Sequence, residues 1–180
     1  MHAAFEQLQR ALPAQPIDYT SLDVQQFRAS YREGALAIRG EMAPMAEIVT
    51  TALPLAGRKL NARLFVPEVD EHLALVVYFH GGGWVVGDLE SHEAHAIRLA
   101  NRAGVVVLNV AYRLAPEHQF PAAVDDAEAA MRWAAANLSE LGGTDKPLAV
   151  GGDSAGGNLA AVAALYCRDH GIALACQLLM

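Results

Sequence analysis

Five consecutive residues, Gly152-Asp153-Ser154-Ala155-Gly156, place a serine hydroxyl between two glycines in a G-x-S-x-G pattern. The pattern carries chemistry where an apolar strand turns sharply into a helix, because such a turn strains the serine backbone and pushes its hydroxyl out of the sheet. Side chains two residues away on either side would collide, and Gly152 and Gly156 meet that need. The N–H of Ala155 then points to where negative charge develops when the hydroxyl attacks a carbonyl carbon, and the helix dipole adds positive potential. A second pattern, His80-Gly81-Gly82-Gly83-Trp84, sets three glycines directly after an apolar run. Glycines there let the backbone turn its amides toward a ligand, which fits the other half of an oxyanion hole. The chemistry the two patterns could do together is nucleophilic acyl transfer through Ser154. The blander reading of each is a tight glycine turn or a phosphate-binding loop, but neither G-x-G-x-x-G nor GK[ST] occurs.

Both patterns need elements to hold them. From residue 73 the chain alternates continuous apolar runs, 73–79, 105–110, 148–150 and 174–180, with helical patterns at 91–103, 121–138 and 154–170. Strands without polar alternation are buried on both faces, as in a parallel sheet covered by crossover helices. The expected class is therefore α/β, a doubly wound, mostly parallel sheet. Ahead of it, 46–52 and 60–66 read as an antiparallel hairpin at a sheet edge around a turn at 54–57, with Leu60, Ala62, Leu64 and Val66 alternating with Asn61 and Arg63. Residues 1–45 read as short amphipathic helices, Phe5, Leu8 and Leu12 at helical spacing, interrupted at Pro13, Pro16, Gly34, Gly40 and Pro44. The predicted division is a helical segment 1–45 before a main domain 46–180.

With the elements in place the motifs become specific. His80-Gly81-Gly82-Gly83-Trp84, then Tyr112-Arg113-Leu114-Ala115-Pro116-Glu117-His118 with Phe120-Pro121-Ala122-Ala123, then residues 152–158, in that order, resemble the bacterial hormone-sensitive-lipase family of carboxylesterases, which has the α/β-hydrolase fold. The resemblance covers about residues 46–180, and residues 1–45 resemble the start of that family's helical cap. It implies a hydrolase of short to medium acyl esters with Ser154 as nucleophile. It also implies Gly82 and Gly83 as oxyanion donors beside Ala155, and residues 112–123 as a scaffold for the site.

A serine needs a histidine to take its proton and an acid to orient that histidine. In this family both follow the serine along the chain. After Ser154 come only Asp169 and His170, and a rise of about 1.5 Å per residue puts them on the order of 20 Å away at the far end of the same helix. The family pattern sets the acid, the histidine and the remaining strands beyond position 180, so the expectation is a chain that stops after the helix following Ser154 and is nearly inactive alone. Among upstream histidines, His80 is expected to steady the glycine loop, His118 to lie in the scaffold, and His92 and His95 to sit on an early helix. His2, His72 and His170 read as exposed. Two other outcomes stay open, a non-catalytic small-molecule-binding protein on the same scaffold and a fragment without function. Trp84 and Phe120 either line an acyl pocket or pack in the core.

Composition narrows the partners. Over 180 residues, 53% apolar content supports a packed domain, and a net charge of −7 spread along the chain argues against nucleic acid. No apolar run approaches the roughly 20 residues of a membrane span, and residues 1–10 lack the pattern of a secretory signal. Cys167 and Cys176 have no metal-type or disulfide-framework spacing, and are expected to be reduced and buried in a cytoplasmic protein. No metal or cofactor motif occurs, so the expected partner is a small ester. The last apolar run would be an unpaired sheet edge, open to homo-oligomerisation.

Overall fold

The computed structural model describes residues 23–141 and 147–180. Its elements, in chain order, are α1 (Val24–Ile38), β1 (Glu47–Leu55), β2 (Arg58–Val66), β3 (Leu75–Phe79), α2 (Glu93–Ala103), β4 (Val106–Val110), α3 (Ala122–Ala136), β5 (Leu148–Gly152), α4 (Ala155–Asp169) and β6 (Gln177–Leu179). They form one sheet of order β1-β2-β4-β3-β5-β6, in which β4, β3, β5 and β6 run parallel and the β1–β2 hairpin joins antiparallel through β2.

Every residue of β3, β4 and β5 is buried, which is why these runs carry no polar alternation. Their side chains divide between two faces. Leu75, Val77, Phe79, Leu108 and Val150 pack with α3 and α4, while Val76, Tyr78, Val107 and Ala149 pack with α2. The helix after β3 thus covers one face, and those after β4 and β5 cover the other. The carboxyl ends of β3 and β5 lie side by side, with Phe79 opposite Gly152, at the point where successive connections leave to opposite faces. Open α/β sheets bind ligands in the crevice at such a point, and both glycine patterns begin there.

Several boundaries differ from the sequence expectation. The hairpin turn is two residues, Ala56 and Gly57, and Pro54 lies within β1 opposite Lys59. A proline fits there because, among the described residues, β1 is an edge strand with no partner beyond it for the missing N–H. Leu73 is 64% exposed and precedes β3. β6 is three residues long and exposed, and among the described residues only β5 pairs with it, at Gln177–Leu179. Of the residues thought to interrupt the first 45, Gly34 does not, because α1 runs through it; the expectations for residues 1–22 lie outside the described residues.

The helix α1 buries no residue fully, and its start is fixed by Asp23, whose carboxylate accepts from the N–H groups of Gln25 and Gln26. Arginines tie it to the domain. Arg28 donates to the carbonyls of Val85 and Ala115 and pairs with both oxygens of Glu117, and Arg32 pairs with Asp88. Arg28 is the first cause holding the Glu117 carboxyl down at about 2. Cys167 is buried as expected, but Cys176 is exposed near the sheet edge; both are free. His72 is half-buried, with Nε2 3.3 Å from the Pro67 carbonyl, rather than exposed.

Candidate active site

The turn between β5 and α4 holds Ser154 at φ 52°, ψ −117°. A non-glycine residue there costs on the order of 1–3 kcal/mol, and the strain persists only where the surroundings over-determine it. They do so here. A Cβ on Gly156 would strike the Phe79 carbonyl oxygen and stand 2.6 Å from that of His80, and one on Gly152 would stand 2.5 Å from the Phe79 oxygen. The glycines are therefore required by the end of β3 as well as by the turn itself. From the other side, the Ser154 N–H donates to the Met180 carbonyl at 2.7 Å and the Met180 N–H to Gly152 at 3.0 Å. The serine is exposed, and its hydroxyl has no hydrogen-bond partner among the described residues.

The glycine loop leaves β3 at Phe79 and folds back on itself, with the N–H groups of Val85 and Val86 donating to the Gly82 carbonyl. Gly82 sits at φ 122°, and a Cβ there would strike the Val86 carbonyl, so no other residue fits. Among the described residues no acceptor takes a hydrogen bond from the amides of Gly82, Gly83 or Ala155. Sites of this kind leave unpaired amides on two sides of a nucleophile, where a developing oxyanion can accept from them.

Residues 112–121 brace the loop from behind. Tyr112 Oη donates to the His80 carbonyl at 2.7 Å, its ring stacks on His80 at 4.4 Å, and the Ala115 N–H donates to the Trp84 carbonyl at 2.8 Å. Asp126, fully buried on α3, accepts from the Arg113 backbone and pairs with the guanidinium groups of Arg113 and Arg58.

His80 is 1% exposed, and its Nδ1–H donates to the Gly81 carbonyl at 2.8 Å. Burial lowers its pKa to about 4 against the opposing pull of that hydrogen bond, so the ring is neutral at pH 7. His118 borders a cavity of about 390 Å³ with Gly83, Trp84, Phe120, Val124 and Asn158. Trp84 is 41% and Phe120 88% exposed, so neither is a core residue. At the far end of α4, His170 stacks on Tyr166 and Asp169 pairs with Arg168, as the helix length requires.

The sheet also brings together residues that sequence reasoning did not connect. Asp153 Oδ1 accepts from Tyr78 Oη at 2.7 Å and from the Gly81 N–H at 2.9 Å, and Oδ2 lies 3.6 Å from His92 Nε2. His92 is buried, its Nδ1 3.0 Å from Ser91 Oγ. Burial opposes the charge of Asp153, but the facing His92, the Tyr78 hydroxyl and the Gly81 amide outweigh it and lower the pKa to about 2. Nothing local in the sequence signals this cluster, because its members come from β3, the glycine loop, the start of α2 and the Ser154 turn.

Residues 76–180 match a protein family described by the alpha/beta hydrolase fold. Carboxylesterase NlhH of Mycobacterium tuberculosis is 41% identical over 167 residues, covering 91% of this chain and 52% of that protein. Hormone-sensitive lipase of Bos taurus is 37% identical over 115 residues, covering 64% of this chain and 15% of that protein. The solved structure of a Pyrobaculum calidifontis esterase superposes with a TM-score of 0.87 at 39% identity, covering 98% of this chain and 57% of that one. The chain spans about half the length of the curated relatives that match most of it. The chain belongs to the α/β-hydrolase family, and within it is similar to carboxylesterases and to hormone-sensitive lipase.

Proposed function

We propose that this chain supplies the nucleophile and the oxyanion hole of a serine carboxylesterase. The observation that carries the reading is an exposed, strained Ser154 beside a glycine loop whose Gly82 and Gly83 amides have no acceptor among the described residues. Ser154 Oγ attacks the ester carbonyl carbon and gives its proton to a histidine. The tetrahedral oxyanion accepts from the N–H groups of Gly82, Gly83 and Ala155. The intermediate collapses, the alcohol leaves with the proton from the histidine, and water then hydrolyses the acyl-Ser154 by the same steps. Asp169 and His170 are engaged at the far end of α4 and do not serve as the acid and the histidine; we assign both to the part of the relatives' length that this chain does not span. The cavity bordered by Trp84 and Phe120 begins at Gly83 and is apolar, which supports a small ester with one hydrocarbon substituent seated there.

A fluorophosphonate is expected to label Ser154, and Ser154→Ala to abolish the label, when the chain is joined to its acid and histidine. Ligand binding with no acyl-enzyme would instead make the chain a binding module. Losing the base costs roughly a million-fold in kcat, so the 180-residue chain alone retains only about 10³–10⁴ over water. Ester turnover near ordinary enzyme rates by that chain, lost in Ser154→Ala, would overturn the assignment of the missing groups. Among the described residues no helix is long and apolar enough to cross a membrane. Two free cysteines support a cytoplasmic location, and the exposed β6 edge supports pairing of the 180-residue chain with a second copy.

A further inference from the structure

The turn at Ser154 restricts the residues two places away, but leaves the identity of residue 153 free. An aspartate there needs a separate reason. The two halves of the oxyanion hole come from different elements, Gly82 and Gly83 after β3 and Ala155 at the start of α4. Strand pairing between β3 and β5 fixes their relation only as far as Phe79 and Gly152. Beyond that point the Asp153 side chain is the crosslink. Its Oδ1 accepts from the Gly81 N–H at 2.9 Å, one residue before the donor glycines, and from Tyr78 Oη at 2.7 Å on β3. The carboxylate fills the space a side chain at position 81 would use: a Cβ on Gly81 would strike Oδ2 and lie 3.0 Å from Cγ. Its other oxygen faces His92, which is itself held by Ser91.

We propose that Asp153 is a positioning residue that locks the glycine loop to the Ser154 turn and so sets the spacing between the Gly82 and Gly83 amides and the Ala155 amide. It never touches the substrate. Its effect is confined to the transition state, because only the developing oxyanion needs donors from both halves at hydrogen-bond distance.

The inference rests on the esterase reading, and its test separates the two. In the esterase that joins this chain to its acid and histidine, Asp153→Ala is expected to lower kcat by about ten- to a hundredfold, less than the outright loss of a donor. KM stays within about twofold, and a trifluoromethyl ketone inhibitor weakens by the same factor as kcat. Asp153→Asn keeps an acceptor for Gly81 and Tyr78, and is expected to retain kcat to within about threefold. Tyr78→Phe, which frees one side of the carboxylate, falls between the two. An Asp153→Ala enzyme with unchanged kcat, or one altered in KM instead, would overturn the proposal. If Asp153→Ala does not fold, a hundredfold loss in Asp153→Asn, or a Tyr78→Phe effect on KM alone, overturns it equally. If the parent neither hydrolyses esters nor takes a fluorophosphonate at Ser154, the esterase reading fails. Amide exchange in the 180-residue chain then decides the crosslink: exchange at Gly81 at least about tenfold faster in Asp153→Ala supports it, and an unchanged rate refutes it.

Discussion

Ser154 and Gly156 make opposite demands on one turn, since the first must keep its side chain at a strained φ and the second must have none. Replacing Gly156 by alanine drives a methyl group into backbone carbonyls that belong to a central strand and cannot move aside. We expect Gly156→Ala to lose about 3 kcal/mol in urea unfolding. Gly83→Ala meets no atom within 4 Å and carries mainly the left-handed backbone cost, about 1 kcal/mol. Its effect is therefore expected on the proposed donor amide, read as a lower kcat, more than on stability. His80 adds a pH dependence with a definite sign. Its folded pKa, about 4, lies below the ordinary 6.5, so the unfolded chain binds the proton more readily in between. Stability from this group is full above about pH 6.5 and declines as pH falls toward 4, by on the order of 3 kcal/mol. Urea midpoints measured across that range are expected to slope downward toward acid, and His80→Gln to flatten the slope.

Among the elements, α3 and the loop before it are joined by one buried carboxylate. Asp126 is fully buried and pairs with Arg58 of β2 and Arg113 of the loop, both about three-tenths exposed. Removing it takes the only carboxylate partner of either guanidinium among the described residues, leaving Arg58 with the Asp125 carbonyl and Arg113 with the Ala122 carbonyl, and deprives the Arg113 N–H of its acceptor. Asp126→Ala is expected to cost about 3–5 kcal/mol in equilibrium unfolding, as when one partner of a buried ion pair is deleted. Because Tyr112 and Ala115 of the same loop hold His80 and Trp84, the damage should reach the glycine loop as well. The helix α1 is docked differently, by Arg28 and Arg32 on its surface with no fully buried residue of its own. Its attachment should therefore weaken with salt far more than that of α3.

Taken whole, the sheet has two unlike edges among the described residues. β1 carries Pro54 and a paired hairpin neighbour, while β6 ends the other side with Leu179 53% and Met180 58% exposed. An exposed apolar edge is a template for strand addition. Under the proposed self-pairing, the 180-residue chain should associate with rising concentration in sedimentation experiments, and Leu179→Lys with Met180→Lys should shift it toward the monomer. A monomer at every concentration, with the edge unaltered, would remove the case for pairing through β6.

The sequence by itself determined the alternation of strands and helices, because uninterrupted apolar runs can only be buried on both faces, and it marked Ser154 and the glycine loop, because each needs residues that no other backbone geometry calls for. Boundaries moved by a few residues where pairing decided them: Pro54 entered β1 because that strand has an open side among the described residues, and β6 keeps only Gln177–Leu179, the residues in register with β5. The company kept by Asp153 belonged to tertiary structure alone. Tyr78, Gly81 and His92 lie between 61 and 75 residues from it, and only the parallel pairing of β3 with β5, with α2 folded over one face, brings them to its carboxylate. Local patterns report what a residue's own backbone requires; a hydrogen bond between the ends of two strands depends on their order in the sheet, which no local pattern contains.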